Sequence, residues 1–300
     1  MKKILITGGT TFVSKFAASY FIERGDEVYV INRNTKPQAE GTILINSDRH
    51  ALGNKLKGIH FDAVLDITAY NATDISSLYH ALGAFDIYVM ISSSAVYSDQ
   101  NTLPFSEESF KGPNAFWGRY GTDKLQAENL LLQNNPDSYI LRPPYLYGPM
   151  NNIYREAFVF DCAMADRRFY LPRTGEMKLQ FFHVRDLCRV METIIDRAPS
   201  EHILNVGNES AVTIRDWVAM CYACFGKTPE FTYVNSSTEQ RKYFCFYDYA
   251  YFLDVKKQRG LLSDTISLSD GLKESAAWYA KHMNDVIKKP YLEFIDANMI

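Results

Sequence analysis

Short apolar runs recur through the first half of this 300-residue chain, and stretches of helical length separate them. The runs are Ile4–Ile6, Val28–Ile31, Thr42–Ile45, Ala63–Ile67, Ile87–Ile91 and Tyr139–Leu141. Helices are expected at about Phe12–Arg24, ending at Gly25, at Asp74–Leu82, and from Tyr120 to Gln133. Apolar strands that alternate with helices are typical of a parallel sheet covered on both faces. The pattern predicts an α/β fold with a Rossmann-type, doubly wound parallel sheet.

The pattern loosens after Pro149, which indicates a second unit of different construction. A helix at about Ile153–Ala165 is followed by short strands and further helices. We therefore expect a dinucleotide-binding domain over 1–150 and a smaller mixed C-terminal substrate lobe over 151–300, with interleaved boundaries. The stretch 234–250 is polar and then aromatic, and is predicted to be a loop that approaches the cleft between the two.

The composition is that of an ordinary globular enzyme, with 47% hydrophobic and 22% charged residues. A net charge of −3 gives no electrostatic reason to expect nucleic-acid binding. No apolar run reaches the roughly 18 residues of a membrane span, and a strand begins too early for a secretory segment, so a cytoplasmic location is predicted. The five cysteines are expected to be reduced thiols, and no metal site is predicted.

A glycine turn lies between the first strand and the first helix. Such a turn allows backbone N–H groups and the helix N-terminus to contact a pyrophosphate. The candidate cofactor-binding residues in this region are Gly8, Thr10, Thr11 and Phe12. At the end of the second strand, Asn32 and Arg33 stand where a carboxylate would select NAD, so the choice between NAD and NADP stays open.

A tyrosine and a lysine stand four residues apart in the third predicted helix. Tyr120 and Lys124 therefore lie on one helical face, where the ammonium would lower the phenol pKa from its usual value of about 10. Ser93 supplies a hydroxyl from the segment that follows a buried strand. Together with a dinucleotide site, these three side chains predict hydride transfer at a carbinol carbon.

These elements resemble, in content and in order, the extended short-chain dehydrogenase/reductases of the NAD-dependent epimerase/dehydratase family. The resemblance also includes the segments 141–149, 182–187 and 205–207, and it covers most of the chain to about Tyr279. Within the family, the chain is nearest to divergent sugar-nucleotide epimerase-like members, including those similar to chloroplast stem-loop-binding proteins.

The resemblance implies a role for each candidate residue. Tyr120 would exchange the hydroxyl proton of the substrate, Lys124 would bind the nicotinamide ribose, and Ser93 would hydrogen-bond the reacting oxygen. Asp48 and Pro143 would contact the cofactor. The implied substrate contacts are Ser94, Tyr97, Lys178 and Arg155.

The residues after Ser93 narrow the reaction. Family members that eliminate water carry an aspartate and a glutamate at the positions that Ser94 and Ala95 occupy here, so dehydration is disfavoured. Epimerisation or reduction remains, with a nucleoside-diphosphate sugar as the expected substrate and a homodimer as one expected assembly. The alternatives are an NADPH-dependent reductase of a small carbonyl compound and a non-catalytic RNA-binding or regulatory protein on the same fold.

Overall fold

The protein is described by a computed structural model that covers residues 1–235 and 237–299. In chain order the elements are β1 (Lys3–Thr7), α1 (Phe12–Glu23), β2 (Glu27–Asn32), β3 (Ile43–Asn46), β4 (Phe61–Asp66), α2 (Ala72–Ala81), β5 (Phe85–Ile91), α3 (Arg119–Asn134), β6 (Tyr139–Arg142), β7 (Tyr145–Tyr147), α4 (Glu156–Met164), β8 (Phe169–Pro172), β9 (Lys178–Leu179), β10 (Phe181–His183), α5 (Val184–Arg197), β11 (Ile203–Asn205), β12 (Val212–Thr213), α6 (Ile214–Ala223), β13 (Phe231–Val234), α7 (Lys256–Arg259), α8 (Leu268–Tyr279) and α9 (Tyr291–Asn298).

Seven parallel strands form the central sheet, in the order β3-β2-β1-β4-β5-β6-β11. The order reverses at β1, so the chain winds outward in both directions from that strand. Helices α1 and α5 pack together over one face, while α2 and α3 cover the other. The strands are buried because both faces are covered, which explains their uninterrupted apolar sequence. The predicted Rossmann-type fold is confirmed.

The second half of the chain forms a lobe with its own apolar core. Three two-stranded pairs, β7–β10, β8–β13 and β9–β12, surround helices α4, α6 and α8. The predicted helix over Ile153–Ala165 is shorter in the structure, because Ile153 pairs instead with Ile287 in an isolated bridge and α4 begins only at Glu156. Among the described residues, no helix is both long and apolar enough to cross a bilayer.

The two halves of the sequence share the sheet. Strand β11 returns from the second half to pair with β6 at the edge, and α5 packs against α1. Conversely, Tyr97 and Phe105 from the first half lie in the core of the C-terminal lobe. This exchange of segments fixes how the lobe is placed over the carboxyl ends of the strands.

Candidate active site

A cavity of about 620 Å³ opens at the carboxyl ends of the central strands, beneath the C-terminal lobe. Its floor is formed by residues that follow β1, β4, β5 and β6, and its roof by side chains from the lobe. Thr11, Phe12, Ser93, Tyr120, Lys124, Pro143 and Arg155 all line it, as predicted site residues. A cavity at this position is the usual ligand site of a doubly wound sheet.

The glycine turn brings backbone close to the start of α1. Gly8 has a φ of +97°, and a Cβ there would lie 2.8 Å from Ser14 Oγ, so a larger residue would be strained and crowded. Thr11 precedes α1 in an extended conformation and makes no side-chain cap. The first turn of α1 lines the cavity and contains no acidic residue, so its N–H groups are available to an anion. This turn fits the pyrophosphate of a dinucleotide; Thr10 lies within it.

Three further predicted cofactor residues lie at or just after the ends of β2 and β3. Asn32 is occupied within the protein, because its Nδ2 donates to the Gly8 carbonyl at 2.8 Å and its Oδ1 accepts from the N–H of Asn34. Arg33 is exposed. Asp48 caps its own turn, accepting from the His50 N–H at 2.9 Å. Asn32 therefore supports the glycine turn, and Arg33 is an exposed cation at this edge.

Ser93 begins a short 3₁₀ turn directly after β5. Its hydroxyl oxygen accepts a hydrogen bond from the Ala95 N–H at 3.1 Å, which fixes the side chain at the cavity wall. The N–H of the next residue, Ser94, donates to the Pro143 carbonyl at 2.9 Å and ties this turn to the end of β6. Ser93 is thus held by local backbone contacts at the position where it faces Tyr120.

Tyr120 opens onto the cavity from the first turn of α3, with 41% of its surface exposed. The exposed part of the residue faces the cavity, whose walls surround the phenol and partly desolvate it. This desolvation raises the pKa of Tyr120 above 10, although the Ser93 hydroxyl and the charge of Arg155 act to lower it. The prediction that Lys124 lowers the pKa of the Tyr120 phenol is wrong. At neutral pH the phenol keeps its proton.

Lys124 is one of the most buried charged residues, with 2% of its surface exposed. Its Nζ donates to the carbonyl oxygens of Ala69 at 2.6 Å and Ile91 at 2.8 Å, and lies 5.1 Å from the centre of the Tyr70 ring. Desolvation lowers the pKa of Lys124 to about 8. The ammonium is therefore directed to the ends of β4 and β5, which explains why it does not lower the pKa of Tyr120.

Helix α3 approaches the turn after β5 through backbone contact. A Cβ at Gly121 would lie 2.1 Å from the Ala95 carbonyl oxygen, closer than any side chain tolerates. Because Gly121 follows Tyr120 directly, this contact sets the separation between the helix that carries the phenol and the turn that carries Ser93.

Positive charge enters the cavity from the lobe. Arg155 is held by the Leu146 carbonyl at 3.0 Å and lies over the Tyr145 ring at 5.2 Å. Arg241 lies 4.9 Å from the centre of the Tyr247 ring. Lys289 also lines the cavity, whereas no aspartate or glutamate does among the described residues. The cavity is therefore suited to an anionic ligand.

Three predicted substrate residues lie elsewhere. Tyr97 is fully buried, and its hydroxyl donates to Asn205 Oδ1 at 2.7 Å and accepts from Arg142, so it belongs to the core. Lys178 is exposed on β9 and does not line the cavity. Ser94 is buried and does not line the cavity. Of the four, only Arg155 reaches the cavity.

The residues around Tyr97 form a buried polar network that supports the floor of the site. Arg142 and Glu128 are each at most 2% exposed and pair at 2.6 Å. The hydroxyl of Ser92 donates to the same carboxylate. This ion pair connects α3 to β6, and through Ser92 to the residue next to Ser93.

The sequence matches the model of the NAD dependent epimerase/dehydratase family over residues 4–207. The chain belongs to this family. The match begins in β1, runs through Ser93, Tyr120 and Lys124, and ends just after β11.

Individual relatives carry different names. The chain is similar to the chloroplast stem-loop binding protein of 41 kDa b from Arabidopsis thaliana, with 29% identity over 91% of this chain and 78% of the relative. Its fold is shared with a UDP-glucuronic acid 4-epimerase from Bacillus cereus in complex with UDP-glucuronic acid and NAD (20% identity, 93% and 99% of the two chains, TM-score 0.74). A UDP-glucose 4-epimerase from Thermotoga maritima with UDP-glucose shares it as well (18% identity, 94% and 99%, TM-score 0.76).

Several cavity residues were not predicted. Arg241 and Tyr247 come from the stretch 234–250 that is predicted to approach the cleft, and Tyr251 directly follows it. Between β13 and Tyr251, the described residues 235 and 237–250 contain only a 3₁₀ turn at Gln240–Lys242. A basic residue within that polar and aromatic stretch was the available signal for Arg241. Lys289 and Tyr70 carry no local motif.

Proposed function

We propose that the protein is an NAD(P)-dependent oxidoreductase or epimerase that acts at a carbinol carbon of a nucleoside-diphosphate sugar. One observation carries the proposal: Ser93, Tyr120 and Lys124 line the same cavity as the open N-terminus of α1. Because hydride transfer needs all of these parts around one substrate atom, the arrangement favours an enzyme over an RNA-binding or regulatory protein.

The cofactor fits the residues that would hold it. The glycine turn and the first turn of α1 would bind the pyrophosphate, Lys124 the nicotinamide ribose, and Arg33 the adenosine end. When bound, NAD or NADP takes a hydride from the carbinol carbon or returns it. Retention of the cofactor would make the enzyme an epimerase, and its release after one transfer a reductase.

The chain's own residues handle the proton. Oxidation of the carbinol removes a hydride from carbon and a proton from oxygen, and Tyr120 in its phenolate form accepts that proton. In the reverse direction the Tyr120 phenol returns it to the carbonyl oxygen, while Ser93 donates a hydrogen bond to the same atom. Since burial raises the Tyr120 pKa, we expect the oxidation rate to rise with pH and the reduction rate to fall.

The substrate class is inferred from the charge of the cavity. Eleven of the fifteen arginines pair with a carboxylate. Among the described residues, the four without such a partner are Arg33, Arg155, Arg197 and Arg241, and two of these line the cavity. Unpaired arginines in a cavity without carboxylates are suited to a diphosphate. The solved structures named above contain UDP-sugars, which agrees with this inference.

The residues at the end of β2 favour the alternative function, a reductase that uses NADPH. Asn32 is not a carboxylate, its side chain is occupied by Gly8, and Arg33 is exposed beside it. This edge would not repel the 2′-phosphate of NADP. A reductase of this kind would consume NADPH, whereas an epimerase would regenerate its cofactor in each cycle.

The test has two parts. First, nucleotide released from the freshly purified, denatured protein is identified, and NADH and NADPH are titrated into the remainder. Second, UDP-glucose and UDP-glucuronic acid are incubated with the holoenzyme, and products are followed by NMR. An epimer formed with no net change in cofactor indicates an epimerase, and consumption of NADPH indicates a reductase. A protein that binds neither cofactor would contradict the proposal.

A further inference from the structure

The two unpaired arginines of the cavity lie over different aromatic rings. Arg241 lies over Tyr247 and within 5.9 Å of the centre of the Tyr291 ring, and the Tyr291 N–H donates to the Lys289 carbonyl. Arg241 and Lys289 therefore belong to one side of the cavity. Arg155 lies over Tyr145, and its charge acts on the pKa of Tyr120. The charges of both arginines act on Tyr145 and Cys245, so the two lie near one another, and the charge of Arg155 also acts on the phenol of Tyr120.

No carboxylate lies within ion-pair distance of Arg155 among the described residues. Its Nη2 has only a backbone partner, the Leu146 carbonyl, and its Nε is buried without a partner among the described residues. It also occupies the N-cap position of α4, where the helix dipole disfavours positive charge. A buried polar group without a partner costs free energy, which a bound anion would recover.

The neighbouring carboxylate, Glu156, interacts with Arg155 through its charge but forms no ion pair with it. Its Oε1 accepts from Asn151 Nδ2 at 2.7 Å, and burial raises the pKa of Glu156 although the charge of Arg155 acts to lower it. The Arg155 guanidinium therefore remains open to the cavity beside the phenol of Tyr120.

We propose that the substrate sugar carries a carboxylate close to the reacting carbinol, as a uronic acid does, and that Arg155 binds this group. The inference rests on the proposed function, and it assigns the diphosphate to Arg241 and Lys289. A planar guanidinium matches a carboxylate well, and no aspartate or glutamate among the described residues lines the cavity to repel it. Arg155 thereby determines which sugar is accepted, and Tyr120 acts on the carbinol beside it.

The test compares two ligands that differ only at carbon 6 of the sugar. UDP-glucuronic acid carries a carboxylate there and UDP-glucose a hydroxymethyl group. Each is titrated by calorimetry into the cofactor-saturated wild-type protein, into Arg155→Gln and into Arg241→Gln. Glutamine keeps hydrogen-bonding capacity and removes the charge. The change in the affinity ratio of the two ligands on each substitution then measures the coupling between that arginine and the carboxylate.

We expect the wild-type protein to bind UDP-glucuronic acid at least about tenfold more tightly than UDP-glucose, a difference of about 1.4 kcal/mol. Arg155→Gln should lose most of that difference. Arg241→Gln should weaken both ligands by a similar factor and keep the difference. Arg155→Lys retains the charge but not the two parallel N–H groups of the guanidinium. Its affinity difference between the two ligands should lie between those of Arg155→Gln and the wild type. Circular dichroism and cofactor affinity check that each variant is folded.

Two results would overturn the inference alone: equal affinity of the wild-type protein for the two ligands, or a preference for the uronic acid that survives in Arg155→Gln. If the cofactor binds but neither sugar nucleotide nor free UDP does, the sugar-nucleotide function fails and this inference fails with it. The binding of UDP and UDP-glucose therefore separates the two failures.

Discussion

The burial of Lys124 predicts that the contribution of this residue to the stability of the protein rises with pH in one defined window. Desolvation lowers the pKa of this lysine from 10.5 to about 8. Below the folded-state pKa, both the folded and the unfolded chain hold the proton, and the folded protein bears the full cost of a buried charge. Between the two pKa values the unfolded chain still binds a lysine proton that the folded protein has released, so the contribution of Lys124 to the free energy of unfolding increases with pH.

The size of the effect follows from the two pKa values. At about 1.4 kcal/mol for each pKa unit, the buried charge costs the folded state roughly 3 kcal/mol at neutral pH. About 2 kcal/mol of this is recovered between about pH 7 and pH 9.5. Within the same range the cysteines ionise in the unfolded chain, at a pKa of about 8.5, while burial raises their pKa in the folded protein, which lowers the free energy of unfolding as pH rises. Comparison with a variant that keeps the cysteines cancels this opposing effect.

The assay is urea unfolding of the wild-type protein and of Lys124→Met, without added cofactor, across this pH range. Methionine has a similar length and no charge. The variant loses the bonds to Ala69 and Ile91. Each carbonyl left unpaired should lower the free energy of unfolding of the variant by about 1–3 kcal/mol at every pH. The lysine-dependent rise with pH should be absent from the variant. A difference between the two proteins that stays constant across the range would refute the reasoning.

Three further outcomes are expected. Tyr120→Phe should lower turnover at least about a hundredfold while the denaturation midpoint and cofactor affinity stay unchanged, measured by steady-state kinetics and urea unfolding; normal turnover would exclude proton transfer by the phenol. Glu128→Gln leaves Arg142 buried without its carboxylate and should cost about 3–5 kcal/mol of unfolding free energy, and a loss below about 1 kcal/mol would show that the pair is not desolvated. Arg33→Ala should weaken NADPH about tenfold by fluorescence titration and leave NADH nearly unchanged; equal losses would place Arg33 away from the 2′-phosphate.

Local sequence patterns predicted the sheet and three side chains that line the cavity, Ser93, Tyr120 and Lys124, because both depend on short stretches of chain. The strands from β1 to β6 read as apolar runs, and Tyr120 and Lys124 share a helical face. The direction of the lysine was not predictable in the same way. Its Nζ is bound by carbonyls that lie 55 and 33 residues away in sequence, so helical spacing alone gave the wrong sign for the phenol pKa.

The substrate side of the site depended on contacts of still longer range. Tyr97 lies near Ser93 in sequence, but the intervening 3₁₀ turn carries it into the core, where it bonds to Asn205. Arg241 and Lys289 reach the cavity only because the lobe folds over the sheet. Arg155 is among the substrate contacts that the family resemblance implies, but only the structure shows that its Nε is buried without a partner among the described residues.

The contact between Gly121 and the Ala95 carbonyl has a consequence for how this enzyme can change. Because backbone contacts backbone here, the distance between α3 and the turn that carries Ser93 does not depend on how the apolar face of α3 is packed. Core substitutions at Ala127 or Leu131 are therefore expected to alter thermal tolerance and leave the reacting geometry intact. A single added methyl group at Gly121 would displace the phenol from its serine. Stability and catalytic alignment can thus be varied separately in the same helix.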